Sequence, residues 1–374
     1  MIMFDRRLLV GFGWSLFFMT IAFSCLALLN LYSASFETGL VSFKKQLVWV
    51  GAGIVCMILV SFINYRILKR YSLYIYGLSI LLLIYVLFYG KQVSGSTSWI
   101  EIGTLGTMQP SEFMKIPLIL ALARFYDNDS EFAPYGFFEL IKPAALVALP
   151  LALVMLQPEL GTALIIILIS GSMMLFMGVR KRSLAFMLIV LLGLSYPAWN
   201  YFLKPYQQDR IKTFLDPSRD PLDAGYNAIQ SQIAVGSGSF IGKGFRAGSQ
   251  TQLRFIPAQQ TDFAFSVLAE EWGFLGSIFA LLLYFMIILW ILDTSGRSRD
   301  TFSMLVSFGI AAMFFWHAIV NVGMVIGLLP VTGVPLLIFS YGGSSTLTAM
   351  IAIGIVLGIR MRKFSMSGEA IELG

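Results

Sequence analysis

Apolar residues run along this chain in long stretches, each near the twenty or so that a helix needs to cross the hydrocarbon of a bilayer. Ten such segments are predicted, near residues 9–32, 46–64, 71–90, 112–126, 141–157, 159–178, 183–203, 263–292, 303–328 and 344–361. The fourth is short and begins with polar residues. The break at Gln157-Pro158-Glu159 reads either as a tight turn between two spans or as a kink within one region. The expected fold is an all-α integral membrane protein of about ten transmembrane helices. It forms a single polytopic domain over residues 1–374, without soluble appendages. No internal repeat is evident, which weighs against an inverted-repeat transporter.

The polar interruptions are few. The longest, about residues 204–262 between the seventh and eighth spans, carries four acids and seven bases up to Thr261, with glycines and amides among them. Turns are expected at Asp216-Pro217 and Asp220-Pro221. A short helix is expected over Asn227–Val235, with Ala228, Ile229, Ile233 and Ala234 on one side. Residues 91–108 are rich in Gly, Ser and Thr and read as an interfacial loop anchored by Trp99. Residues 328–345 are apolar but broken by Pro330, Gly333, Pro335 and Gly342-Gly343, as in a re-entrant or cavity-lining segment. A short tail, 363–374, is expected to lack regular structure.

Composition agrees: 57% of residues are hydrophobic and 12% charged, and the mean hydropathy is +0.80. The net charge of +6 follows membrane topology and is no sign of nucleic acid. With the N-terminus inside, fifteen Lys and Arg, including Arg6, Arg7, Arg124 and Lys363, fall in cytoplasmic segments, against Lys44, Lys45 and Lys91 in the short outer ones. Both termini are then cytoplasmic and the long loop lies outside. The first span reads as an uncleaved anchor, too long for a signal peptide and lacking a cleavage site. Cys25 and Cys56 fall within spans and read as apolar filler, and no zinc spacing exists.

Ionisable residues inside spans mark candidate sites, because charge in lipid is costly. Glu112 and Lys115 share one helix face and form either a structural ion pair or part of a polar cavity. Glu159 stands at a helix N-terminus. Asp262, at the outer membrane edge, is either a general base of raised pKa or a helix N-cap. Glu270 lies eight residues on and could share its groove. His317, beside Asn321, reads as a satisfied interior histidine or a proton relay. The glycine run Gly236–Gly248, with Lys243 and Arg246, is either a phosphate cradle or a flexible loop, and it is not a Walker motif.

Several strings occur together in order: QPSEFMK, QPELGTALI, RIKTFLDPSRDPLDAGYNAIQSQIAVGSGSFIGKGF, RFIPAQQTDFAFSVLAEEWGFLG and GLLPVTGVPLLIFSYGGSS. Over nearly the whole chain the sequence resembles the SEDS (shape, elongation, division and sporulation) family, nearest its elongation branch. The resemblance implies a peptidoglycan glycosyltransferase that polymerises lipid II on the outer face of the cytoplasmic membrane. It implies that Asp262 is the essential aspartate and that Glu112 and Lys115 are site residues. It places amide and basic site residues between Lys243 and Gln260, with Arg246 and Arg254 candidates for the pyrophosphate. Ser344 and Ser345, in the GGSS turn, would pass close to the lipid tail or sugar. A divalent cation could offset the same charge, although no acidic cluster demands one. The implied partners are a class B penicillin-binding protein and the elongation proteins MreC and MreD. A lipid II flippase, a scaffold and a division or sporulation homologue are the competing readings.

Overall fold

The computed structural model describes residues 11–93, 96–102, 106–129, 134–202, 205–220 and 224–369. Arg6, Arg7, Lys204, the turn at Pro221 and the last five residues of the tail lie outside them, as does the Lys363 side chain. The chain is mainly helical: α1 (Trp14–Ser35), α2 (Val41–Ser61), α3 (Tyr65–Tyr89), α4 (Pro110–Asn128), α5 (Ile141–Leu156), α6 (Leu160–Met177), α7 (Lys181–Pro197), α8 (Pro205–Leu215), α9 (Ala224–Ser237), α10 (Ser249–Gln252), α11 (Ala264–Gly296), α12 (Thr301–Val325) and α13 (Gly343–Glu369). Each of the ten expected segments coincides with one of these helices. Seven are long and apolar enough to cross a membrane: α1, α2, α3, α6, α11, α12 and α13. The helix α5 is apolar but shorter, α7 passes into a wider turn at Ala198–Phe202, and α4 is the most polar.

The polarity of α4 follows from its position. Every residue from Met114 to Ala123 is buried, so this helix is walled off from lipid by its neighbours. A helix enclosed on all sides can carry Ser111, Glu112 and Lys115, because protein partners replace water around them. Two more helices are central: 83% of the α13 span and 61% of the α12 span are buried, against 22% for α2. Small residues bring α13 onto α2. A Cβ at Gly354 would lie 2.6 Å from the Met57 carbonyl, and one at Gly358 would lie 2.8 Å from that of Ser61. Helix starts follow local chemistry. Asn64 accepts from the Arg66 amide at α3, Asp300 accepts from the Ser303 amide at α12, and Pro110 opens α4.

Three expectations need correction. Three short strands pair as an antiparallel meander where a loop was expected, β1 (Lys91–Val93), β2 (Ser96–Ile102) and β3 (Gly106–Met108), with Ile100 opposite Met108. Alternating Thr, Ser and Ile suit a strand better than an interfacial loop. The tail continues α13 through Glu369. The loop helix α9 forms as expected but buries Ser231 and Ala234, while Ile229 and Ile233 stay exposed. Gln157-Pro158-Glu159 is a turn between α5 and α6, fixed by the Gln157 amide donating to the Leu83 carbonyl at 3.0 Å.

Candidate functional site

The chain from Phe255 to Phe263 folds in tight turns that hold Asp262 at the head of α11. The Gln259 side chain donates to the Ala34 carbonyl (3.1 Å), the Gln260 carbonyl accepts from the Tyr341 amide (2.9 Å), and Phe263 is buried. On α12, one turn apart, His317 and Asn321 face the same way. Asn321 donates to the carbonyls of Asp262 and Val334, both at 2.8 Å. His317 Nδ1 lies 2.9 Å from the Pro335 carbonyl. Together they pin the non-helical 329–341 segment against Asp262. Gly333 has φ +72°, and a Cβ there would stand 3.4 Å from Asp262 Oδ2. That segment is cavity-lining backbone, as its prolines and glycines foretold.

The cavity so enclosed has a volume of about 390 Å³, and Asp262, Glu112, Arg210, Trp99, Ser344 and Ser345 are among its walls. Asp262 does not cap α11: the N-cap is Phe263 and no side-chain cap bond is present. Burial pushes its carboxyl above the usual carboxylate range, against the pull of the Thr261 hydroxyl and the Arg210 charge.

From the cavity wall inward runs a buried chain of polar groups. Lys115 Nζ is 2.8 Å from Glu112 Oε2 and 2.9 Å from His317 Nε2. An ammonium only donates and a carbonyl only accepts, so His317 carries its proton on Nδ1 and is neutral. Lys115 therefore bridges Glu112 at the cavity to the histidine on α12. The two residues form an ion pair, and of the two Glu112 also lines the cavity. Glu159 accepts from Ser111 Oγ at 2.6 Å and from the Gln109 side chain, while the Gln109 amide donates to Ser344 Oγ at 2.9 Å. The starts of α4, α6 and α13 are thereby tied together at one end of the cavity.

Other expected residues are placed elsewhere. Lys243 is 2.7 Å from Glu270 Oε1. Glu270, fully buried, also accepts from the Gln250 amide (2.9 Å) and from the Thr251 amide and hydroxyl (3.0 and 2.8 Å). Its carboxylate is saturated by the loop and turned from the cavity, so it shares no groove with Asp262. The Arg246 guanidinium lies over the Phe36 ring, 3.3 Å from its centroid, and Arg254 donates to the Glu37 carbonyl. The Gln260 side chain points to the Ala34 carbonyl at 3.4 Å. None of the four lines the cavity. The glycine run is neither an open cradle nor a loose loop. Gly242 (φ +89°) and Gly273 (φ +65°) dock backbone on backbone at a kink in α11, and a Cβ on Gly273 would lie 2.3 Å from the Gly242 nitrogen. Reasoning from sequence passed over Arg210, Gln109 and Tyr341. The first opens the RIKTFLDP string, and its distance from Asp262 along the chain hid it. Among the described residues no group of three or more His, Cys, Asp or Glu is placed to hold a metal ion.

Fold and site together define a polytopic membrane protein with a carboxylate-bearing polar cavity enclosed by its central helices. The chain matches the FtsW/RodA/SpoVE family model, described as cell cycle protein, over residues 7–364, and it belongs to that family. The peptidoglycan glycosyltransferase RodA of Treponema pallidum (strain Nichols) is 34% identical, over 94% of this chain and 98% of the relative. The peptidoglycan glycosyltransferase MrdB of Escherichia coli (strain K12) is 37% identical over 87% of each. A solved chain from a peptidoglycan synthase complex that coordinates polymerization and crosslinking superimposes with a TM-score of 0.82 at 32% identity, covering 94% of this chain and 98% of its own. The rod shape determining protein RodA of Thermus thermophilus gives 0.70 at 29% identity, covering 93% and 96%.

Proposed function

We propose that this chain is a peptidoglycan glycosyltransferase of the elongation branch, polymerising lipid II into β-1,4-linked glycan with release of undecaprenyl pyrophosphate. The observation that carries the reading is the desolvated Asp262 carboxyl on the wall of a cavity that also presents Arg210 and Glu112. Asp262 takes the proton of the acceptor sugar hydroxyl as the hydroxyl oxygen attacks the anomeric carbon of the donor. The bond to the pyrophosphate breaks, its electron pair leaves with the phosphate oxygen, and the α linkage inverts to β. One base suffices for such a displacement, without a covalent intermediate. Arg210 offsets the charge that develops on the leaving group, a role first given to Lys243, Arg246 and Arg254. Glu112, paired with Lys115, accepts hydrogen bonds from sugar hydroxyls, and Ser344 and Ser345 line the same passage. A bound divalent cation would add to the charge that Arg210 supplies.

In this reading ten helices span the cytoplasmic membrane, both termini are cytoplasmic, and Asp262 faces outside. A class B penicillin-binding protein cross-links the product, in keeping with the relative from a peptidoglycan synthase complex. MreC and MreD belong to the same elongation assembly. Initial rates of lipid II polymerisation by wild type, Asp262→Asn and Arg210→Ala test the assignment. The expected result is no product from the first variant and at least a hundredfold loss from the second. Wild-type rates from Asp262→Asn would remove Asp262 from the chemistry.

A further inference from the structure

A second cavity, of about 420 Å³, lies at the opposite end of α11 from Asp262. Six bases line it: Arg66 and Lys69 from α3, Arg297 after α11, Arg299 from the turn to α12, and Arg360 and Arg362 from α13. Asp300 is the one acid in its lining among the described residues, and it is engaged as the N-cap of α12. Two more acids stand close by. Asp293 is shared between Arg297 (2.6 Å) and Arg360 (3.0 Å), and Asp127 holds Lys69 (2.5 Å). Arg362 spends its guanidinium on the carbonyls of Ser61, Phe62 and Gly358. Among the described residues, six bases against three acids leave an excess of three positive charges around one cavity.

The positive-inside tendency explains why this end of the bundle is basic. It does not explain why bases from two spans and the turn between α11 and α12 converge on one cavity, since gathered like charges repel. Five of the six are arginines, whose planar forks match phosphate oxygens in a way lysine does not. Basic pockets between spans on this side of a membrane suit phosphate-bearing headgroups. From the convergence of these arginines on a cavity large enough for a phosphodiester, we infer that it binds a phosphate-bearing anion, either the headgroup of an anionic phospholipid or free phosphate. This site is remote from Asp262, and the inference does not rest on the glycosyltransferase reading.

The test is thermal unfolding of the purified full chain in a zwitterionic detergent, titrated separately with cardiolipin and with inorganic phosphate. Arg66 and Arg299 are both exposed, and Arg66→Gln/Arg299→Gln takes two of the six bases from the cavity. Lys181→Gln/Arg182→Gln, at two exposed positions elsewhere, serves as the control. Saturable stabilisation of wild type and of the control by several degrees is expected, at least halved in the cavity variant. A shift with cardiolipin alone assigns the lipid source, and a shift with both probes assigns the phosphate group itself. Equal shifts in the cavity and control variants, or no shift with either probe, would overturn the inference. Should the double variant fail to fold, Arg299→Gln alone carries the same comparison.

Discussion

At Asp262 burial opposes the Thr261 hydroxyl and the Arg210 charge, and burial prevails. A base works only when ionised, and a raised folded pKa keeps the proton on to higher pH. The acid limb of the polymerisation rate is therefore expected above the ordinary aspartate value of about 3.9. A limb at or below that value in a pH–rate profile would count against a desolvated base. The linked stability runs the same way. The folded state holds this proton more tightly than the unfolded chain, so stability from this group is present at low pH and lost as pH rises through the folded pKa. Asp262→Asn should keep or raise Tm at neutral pH while activity vanishes, and a clear fall in Tm would point to a structural role. The pair behind it behaves differently. Removing Lys115 leaves Glu112 buried without its cation, a loss of about 3–5 kcal/mol. Lys115→Met should lower the unfolding midpoint far more than Glu112→Gln/Lys115→Met, and equal losses would contradict the coupling.

Among the elements, the loop between α7 and α11 best shows what the sequence could and could not convey. Asn227–Val235 was legible as a helix, and the prolines and glycines of 329–341 announced backbone that lines a cavity. The glycine run was not. Gly238, Gly242 and Gly273 serve close approach of two backbones, and the second partner, a kink in α11, leaves no local mark beyond one glycine in an apolar run. For the same reason Lys243 and Glu270, far apart in sequence, read as separate candidates, whereas they form one clamp. Gly273 at φ +65°, with the Gly242 nitrogen 2.3 Å from a would-be Cβ, predicts that Gly273→Ala destabilises by about 1–3 kcal/mol from the backbone alone. Limited proteolysis should then cut the 236–254 loop faster than in wild type. Unchanged cleavage would mean that the docking does not hold the loop.

Over the whole molecule, hydrophobic periods located a helix at each of the ten expected segments, with ends displaced by as much as eight residues, because burial in lipid or protein rewards the same apolar content. They said less about which helices are central. Only the ionisable residues of α4 hinted at enclosure, and Trp99 was read as an anchor when it lines the cavity. Charge asymmetry sets the orientation proposed here. In a Cys25→Ala/Cys56→Ala background, Ile241→Cys, which replaces a residue 77% exposed on the loop, should react with an impermeant maleimide on intact cells. Arg299→Cys should react only after permeabilisation, and the reverse pattern would invert the topology. The central claim, a polymerase acting through Asp262, is tested most directly by glycan synthesis from lipid II with the purified chain, alone and with the class B penicillin-binding protein proposed as its partner. Glycan ladders from wild type and none from Asp262→Ala are predicted. Ladders from both would contradict the role of Asp262, and none from wild type even with the partner present would contradict the enzyme itself, in favour of a flippase or a scaffold.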